Sequence, residues 1–481
     1  MRISWDIALF ELRRLQKSLL ILLPVFFMMS ALALYSGAIQ LRHQHTNTQL
    51  LAENQQTYLN KQVKKVEKRI KELKKKNKPI SPDRKIYRNP AFLAQHGTPA
   101  IIPAGPAALI SVGVTPLQAQ SIQVTLDDPA LLESQENLQH PLQLWAGHFD
   151  LVFVLVYLMP LFLIAISFDL TASEQESGNL KLLLVQGGGL LALIKGKVLA
   201  RLWVLVFILV SLSLMIWGFV TFNQIDFAWT RWCLAMVLSL MYGSIWMSLA
   251  AFLNAKRWKP SNIAASLASI WLLAVWVIPG ANQQLIQGLL PVPSRMDYIQ
   301  SYREAAEQVR QESSKLLGKY MEDHPEIAGG TDNKYAVLQL SKAQAMAKAI
   351  RPVVNTYQDQ LAQQQKLAAY LQYLSPASVF ESILSQLAGS DLNRQQAYRS
   401  QVVSFQAQWT AFFLPLIQSN QALEPQHFQV HPHFKFQEVR LVNLNSSIIA
   451  AFIVLLGLTS ILSALSLRAY HSYQIIETNS N

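Results

Sequence analysis

Charge is what this sequence has least of. Asp, Glu, Lys and Arg make up 15% of its 481 residues and 51% are hydrophobic; an ordinary soluble domain carries about a quarter charged residues. That balance excludes a conventional soluble globule and points to a membrane protein with polar excursions. The single cysteine, Cys233, lies inside an apolar run. No disulfide can form within the chain, and cysteine usage does not identify the compartment of the polar regions. No His-Glu-x-x-His zinc motif and no Gly-x-Ser-x-Gly nucleophile elbow occurs. A phosphate loop fails as well: Gly196-Lys197 is followed by Val198, and Leu191 stands where the first glycine is needed. An enzyme, or a nucleotide-binding chain, is therefore unsupported.

Long apolar runs are what is present. Six stretches reach the roughly 20 residues a membrane-crossing helix needs: residues 18–39, 149–167, 198–220, 232–253, 263–279 and 446–467. The fifth is the shortest. Trp145, Trp217, Trp229, Trp232, Trp258 and Trp276 stand near their ends, as interfacial aromatic rings do. The first run continues through Tyr35 to Ile39, longer than the apolar core of a cleaved signal. Short links fix orientation. Basic residues gather before run one (Arg2, Arg13, Arg14, Lys17), between two and three (Lys181, Lys195, Lys197) and between four and five (Lys256, Arg257, Lys259), and none lies between three and four. The expected fold is a mainly α membrane protein of six spans with both termini in the cytoplasm. Two large, mostly helical extracytoplasmic regions, 40–148 and 282–445, and a cytoplasmic tail at 468–481 complete it. No run carries a charge near its centre. Arg201, Arg231, Asp150 and Asp226 sit toward ends, where side chains snorkel, which argues against a proton relay.

The link at 168–197 reads as a short acidic turn, a short helix at 180–185, a glycine break at Gly187–Gly189 and the entry to span three. Its Glu174, Glu176, Ser177, Gly178, Leu180 and Leu183, with Gly196-Lys197 leading into a span, resemble the permeases of type-2 ABC exporters. The usual motif has Arg beside the acids and Thr after the glycine; here Gln175 and Asn179 stand instead. Farther on, LPVPSRMDYIQSYREAAEQV (290–309), KYMEDHPE (319–326), LSPASVFESILSQLAGSD (374–391) and FQAQWTAFF (405–413) stand in an order similar to the outer domain of one permease subfamily. That subfamily has six spans and two large outer insertions. The resemblance covers most of the chain from Phe149 onward and is weak over 40–148. It implies an inner-membrane permease subunit whose coupling segment docks on a separate ATPase. That partner would bind ATP and Mg, and a second permease or a copy of this chain would complete the system. The alternative is a non-transporting subunit that moves an extracytoplasmic envelope partner.

Residues 3–18 are amphipathic, with Trp5, Ile7, Leu9, Leu12 and Leu15 among basic residues. They predict a helix lying on the inner leaflet, which in this permease class borders the ATPase. In the first outer region, Ala52, Gln56, Leu59, Val63, Val66, Ile70 and Leu73 follow heptad spacing, the signature of a coiled coil. Lysines coat the rest: ten of residues 61–78 are Lys or Arg. The topology puts this run outside the cytoplasm, so no nucleic-acid partner is expected. A short strand is expected at 121–126, and prolines mark an irregular stretch before it. The second region predicts helices at 295–323, 333–374 and 394–418, forming a paired-helix stalk. His427, His431 and His433 lie within seven residues, and three imidazoles that close are the weak candidate for a metal site; a histidine-rich surface loop is the plainer account.

Overall fold

The computed structural model describes residues 2–77, 86–113, 115–126, 149–180, 189–291, 295–311, 315, 322, 334–419, 421–438 and 441–478. Among the described residues, six helices are long and apolar enough to cross a membrane. The chain is a mostly helical, multi-pass membrane protein.

Helix α1 (Arg2–Lys75) joins three elements that the sequence predicts separately: the amphipathic N-terminal helix, the first span and the basic helix. The boundary expected near Ser18 is not there. Residues 16–19 contain no Gly or Pro to interrupt the ladder, and the Ser18 hydroxyl donates back to the Leu15 carbonyl instead of capping a new helix. The remaining spans are α3 (151–167), α5 (Leu190–Asn223), α6 (Trp229–Asn254), α7 (Pro260–Leu289) and α13 (Leu441–Thr478). Between α1 and α3 lie α2 (Pro90–His96) and two strands, β1 (Thr98–Ile101) and β2 (Ser121–Val124). The short α4 (Ala172–Glu176) follows α3. Between α7 and α13 come α8 (Arg295–Gln311), α9 (Lys334–Leu371), α10 (Pro376–Ala388), α11 (Leu392–Gln418) and α12 (His427–Val430). Helices α3 and α7 each contain one π-turn, at Val154–Leu158 and Leu273–Val277.

There are two principal cores. The first fills the bundle and includes Leu155, Leu205, Leu212, Tyr242 and Leu455. It also takes in Leu109 and Ile110 from the first insertion, where a close approach requires Gly37: a Cβ there would collide with the Leu109 carbonyl. The second core lies in the insertions. Leu59 and Val66 of α1 pack with α2, the two strands and the Tyr398, Phe405, Trp409 and Phe413 face of α11. The strands pair antiparallel, Thr98 opposite Val124 and Ile101 opposite Ser121. Tyr398 donates its hydroxyl to the Ala100 carbonyl at 2.6 Å and Trp409 donates to the Ala94 carbonyl at 3.1 Å, so the buried polar ends of both rings are satisfied. Arg394 is held by Glu438 (2.8 Å) and the Pro103 carbonyl (3.0 Å).

The heptad reading is thus corrected in its partner. Leu59, Val66 and Leu73 are buried, but Ala52 and Gln56 are exposed. The seam meets a mixed α/β module rather than a second coiled-coil strand. β2 falls on the expected 121–126 segment, whereas β1 occupies the proline-rich stretch read as irregular. Of the three helices expected in the second insertion, α9 and α11 begin and end within a few residues of the forecast. α8 is described only to Gln311, so the forecast end at Asp323 lies outside the described residues. What the forecast lacks is α10, which enters the bundle: Ala377, Val379, Phe380, Ile383, Leu384 and Leu387 all belong to the first core.

Candidate functional site

The link after α3 is anchored at the end of the bundle nearest the chain termini. Asn254, the last residue of α6, is 1% exposed and acts as a clamp. Its Oδ1 accepts from the backbone N–H of Leu170 and of Thr171, both at 3.1 Å. Its Nδ2 donates to the Phe168 carbonyl at 3.1 Å and to Ala250 of its own helix at 2.8 Å. One side chain therefore satisfies three backbone groups of a turn that has no ladder of its own. Asp169 Oδ1 accepts from Ser173 N at 2.8 Å and closes the first turn of α4.

Around this turn sits a charged cluster. Glu174 Oε1 lies 2.6 Å from Lys197 Nζ of α5 and 2.6 Å from Arg14 Nη1 of α1. Glu11 faces Lys197 at 3.4 Å, Arg201 at 3.4 Å and Arg14 at 3.5 Å. The Lys197 ammonium also donates to the Leu170 carbonyl at 2.6 Å, and Arg201 Nε donates to the Ile166 carbonyl at 2.9 Å. The side chains of Lys197, Arg201 and Glu11 are nearly inaccessible, at 1%, 3% and 4% exposure. Charges that deep persist only when paired and hydrogen-bonded, and here each has both. Arg201, expected to snorkel from the end of span three, is instead an interior partner of Glu11.

Among the described residues of the link the longest exposed run is short. Glu176, Ser177, Gly178 and Asn179 face outward, while Leu180 turns in. Leu180 packs with Leu190, Leu193 and Ile194 of α5, Ala255 after α6, Tyr470 of α13 and, more loosely, Ile7 of α1. Gly178 has φ +75°, and a side chain there would meet nothing within 4 Å of its Cβ. The glycine serves the left-handed turn that ends α4, not a close contact. Gly196 is buried one residue before Lys197 on α5. Leu183 and the helix expected at 180–185 lie, beyond Leu180, outside the described residues.

Of the sequence-predicted residues, Glu174, Leu180 and Lys197 are thus joined to the bundle, and Glu176, Ser177 and Gly178 form a solvent-facing lip beside them. Sequence reasoning missed Glu11, Arg14 and Asn254 as partners. The available signal was weak: Glu11 is an acid within an otherwise basic amphipathic helix, and Asn254 closes an apolar run. Physically, the arrangement ties one link to α1, α5, α6 and α13 at once.

The histidines do not converge. His427 Nδ1 accepts from Glu424 N at 3.0 Å, and His431 Nδ1 bonds the Phe428 carbonyl at 3.0 Å. His431 is buried against Trp409, with the exposed His433 ring 4.2 Å away. Burial and the neighbouring His433 hold the His431 imidazole below its ordinary pKa. Among the described residues no group of three metal-ligating side chains gathers.

Comparison with known proteins adds one finding. Residues 295–437, which include α8 to α12, match a domain of unknown function, DUF3526. No curated protein and no solved structure matches the chain.

Proposed function

We propose that this chain is the permease subunit of an ATP-driven exporter of the type-2 ABC class. In this reading both termini and the 168–197 link face the cytoplasm, the insertions lie beyond the inner membrane, and ATP and Mg are bound by a separate ATPase. The carrying observation is the tethering of the link to four helices through Glu174, Lys197, Glu11, Asn254 and Leu180. A segment that receives a push from a partner must be stiffly joined to the helices it moves, with a surface left free for that partner. Glu176 to Asn179 supply the surface. The distribution of Lys and Arg over the short links supports the orientation. Glu174 is assigned to transmission, since its oxygen Oε1 is engaged by Lys197 and Arg14; docking falls to the lip.

The test is purification of the tagged full-length chain from its native membranes, followed by measurement of vanadate-sensitive ATP hydrolysis. Glu176→Lys combined with Ser177→Trp is expected to remove at least nine-tenths of the co-purifying activity with an unchanged melting curve. Full retention of the activity in that variant overturns the docking assignment.

A second reading is favoured by α1. Its 74 residues run unbroken from the Glu11–Arg14 cluster to the second core, about 110 Å of helix. Such a rod suits a subunit that moves an extracytoplasmic partner without carrying substrate. Substrate uptake into sealed vesicles, present or absent, separates the two.

A further inference from the structure

Helix α10 has 13 residues, too few to cross a bilayer, yet one face of it is fully absorbed into the bundle core. Phe380 is completely buried and stacks on Tyr242 of α6, with centroids 4.4 Å apart and planes 23° off parallel. Tyr242 in turn donates its hydroxyl to the Val156 carbonyl in the π-turn of α3, at 3.0 Å. The Ser375 hydroxyl, capping α10, donates to the Ala274 carbonyl in the π-turn of α7. The helix is thus wedged between spans and fixed to both places where the regular ladders of α3 and α7 are broken.

The other face of α10 carries Glu381, which is exposed. Tyr157 of α3 donates its hydroxyl to Glu381 Oε2 at 3.3 Å. Tyr157 stacks on Phe153 (4.8 Å, 22°) and meets the ring of Trp276 on α7 at 5.6 Å; Trp276 is itself 54% exposed. Tyr157 lies within one π-turn and Trp276 within the other, and single-turn π-bulges concentrate at functional positions. Among the described residues no Lys, Arg or His lies within ion-pair distance of Glu381. Tyr157 is six residues into α3 from Leu151, about 9 Å of rise, so this carboxylate stands below the end of the span. A carboxylate at such depth without a cation is costly and marks a binding position. Aromatic faces beside it attract positive charge further.

We propose that Glu381, Tyr157, Phe153 and Trp276 form a binding site for a lipophilic organic cation, entered from the side between α3 and α7. The negative charge and the ring faces select a diffuse positive charge on an apolar body. A zwitterionic lipid headgroup fits less well, because the site lies below the end of the span and among the described residues no basic side chain stands beside Glu381 to take its phosphate. The inference names a substrate class for the exporter reading, but binding is measured on the chain alone and needs no ATPase.

The experiment is equilibrium dialysis of tetraphenylphosphonium against the purified full chain in maltoside micelles, with tryptophan quenching as a second readout. Glu381→Gln is expected to weaken binding at least tenfold, Glu381→Asp to restore most of it, and Trp276→Leu to weaken it severalfold with loss of quenching. Equal binding by Glu381→Gln and the parent chain overturns the proposal. So does equal affinity for the neutral triphenylphosphine oxide. Displacement by added phosphatidylethanolamine would assign the site to a headgroup instead. Spontaneous disulfide crosslinking of two copies through Trp276→Cys would assign the face to a subunit contact. If Glu381→Gln fails to fold, Tyr157→Phe and Trp276→Leu carry the same comparison. Loss of ATPase co-purification with cation binding intact would remove the exporter reading and leave the site standing.

Discussion

The two ends of the bundle treat charge in opposite ways. At the end near the termini, Glu11, Lys197 and Arg201 are buried and held by one another and by backbone carbonyls, and Glu174 joins them through Oε1 while its Oε2 has no hydrogen-bond partner among the described residues. At the insertion end the carboxylates divide. Asp150 is absorbed into structure, accepting from Phe153 N and from Val112 N, each at 2.9 Å. Among the described residues Glu381 meets only a phenol. A cluster of paired charges holds geometry, whereas a carboxylate with no cation beside it is the one that the cation-site proposal leaves open to a ligand. In this chain the charges at the two ends are distinguished by their partners, not by residue type.

Substitutions sharpen or break that contrast. The largest effect is expected at the paired end. Glu11→Ala leaves Lys197 and Arg201 buried with too few anions, and such a break costs about 3–5 kcal/mol, measurable as a lowered denaturation midpoint in mixed micelles. Next comes Asn254→Ala, which strands three backbone groups of the 168–171 turn; about 2–3 kcal/mol is expected, with faster hydrogen exchange at Leu170 and Thr171. Phe380→Leu, which keeps an apolar body but loses the stack on Tyr242, costs about 1–1.5 kcal/mol. It also loosens Glu381, so cation affinity should fall with it. The insertion module responds to pH through His431 and, in the same direction, through His96 of α2, which partial burial also holds below its ordinary pKa. Each folded pKa lies below the ordinary 6.5, so the unfolded chain takes up the protons first. Module stability is therefore complete above pH 6.5, falls as pH drops through the window below it, and levels off beneath the folded pKa values. Replacing His431 with Phe should lessen that slope. Smallest of all is Glu381→Gln: removing an unpaired carboxylate should leave stability within about 0.5 kcal/mol. A loss as large as that of Glu11→Ala would break the contrast between the two ends.

How much of this was legible follows from the range of each interaction. The six spans were legible because twenty apolar residues in a row are a local property. The link was legible as a pattern of acids and glycine, and Gly178 fits its turn for a local reason. The pairing inside the link was not legible: Arg14 and Glu174 are 160 residues apart, and spacing along the chain carries no information about that meeting. The heptad seam of α1 revealed its buried face from Leu59 onward but not its partner, since periodicity defines a stripe and not what covers it. Helix α10 was overlooked because a short apolar helix reads equally as a soluble core element. Its depth follows only from Phe380 meeting Tyr242.

The continuity of α1 finally bears on its basic end. Ile39 closes the first apolar run and Lys61 opens the lysine-rich one, 22 residues later, with no break in the helix between them. That is about 33 Å of axis, several times the screening length of about 8 Å at physiological ionic strength. The exposed lysines from Lys61 to Lys76 therefore lie several screening lengths along the helix from the end of the apolar run. Within the run only Glu67 and Glu72 oppose them, and Glu72 pairs with Arg69 at 3.4 Å, so most of that charge is left to solvent counterions.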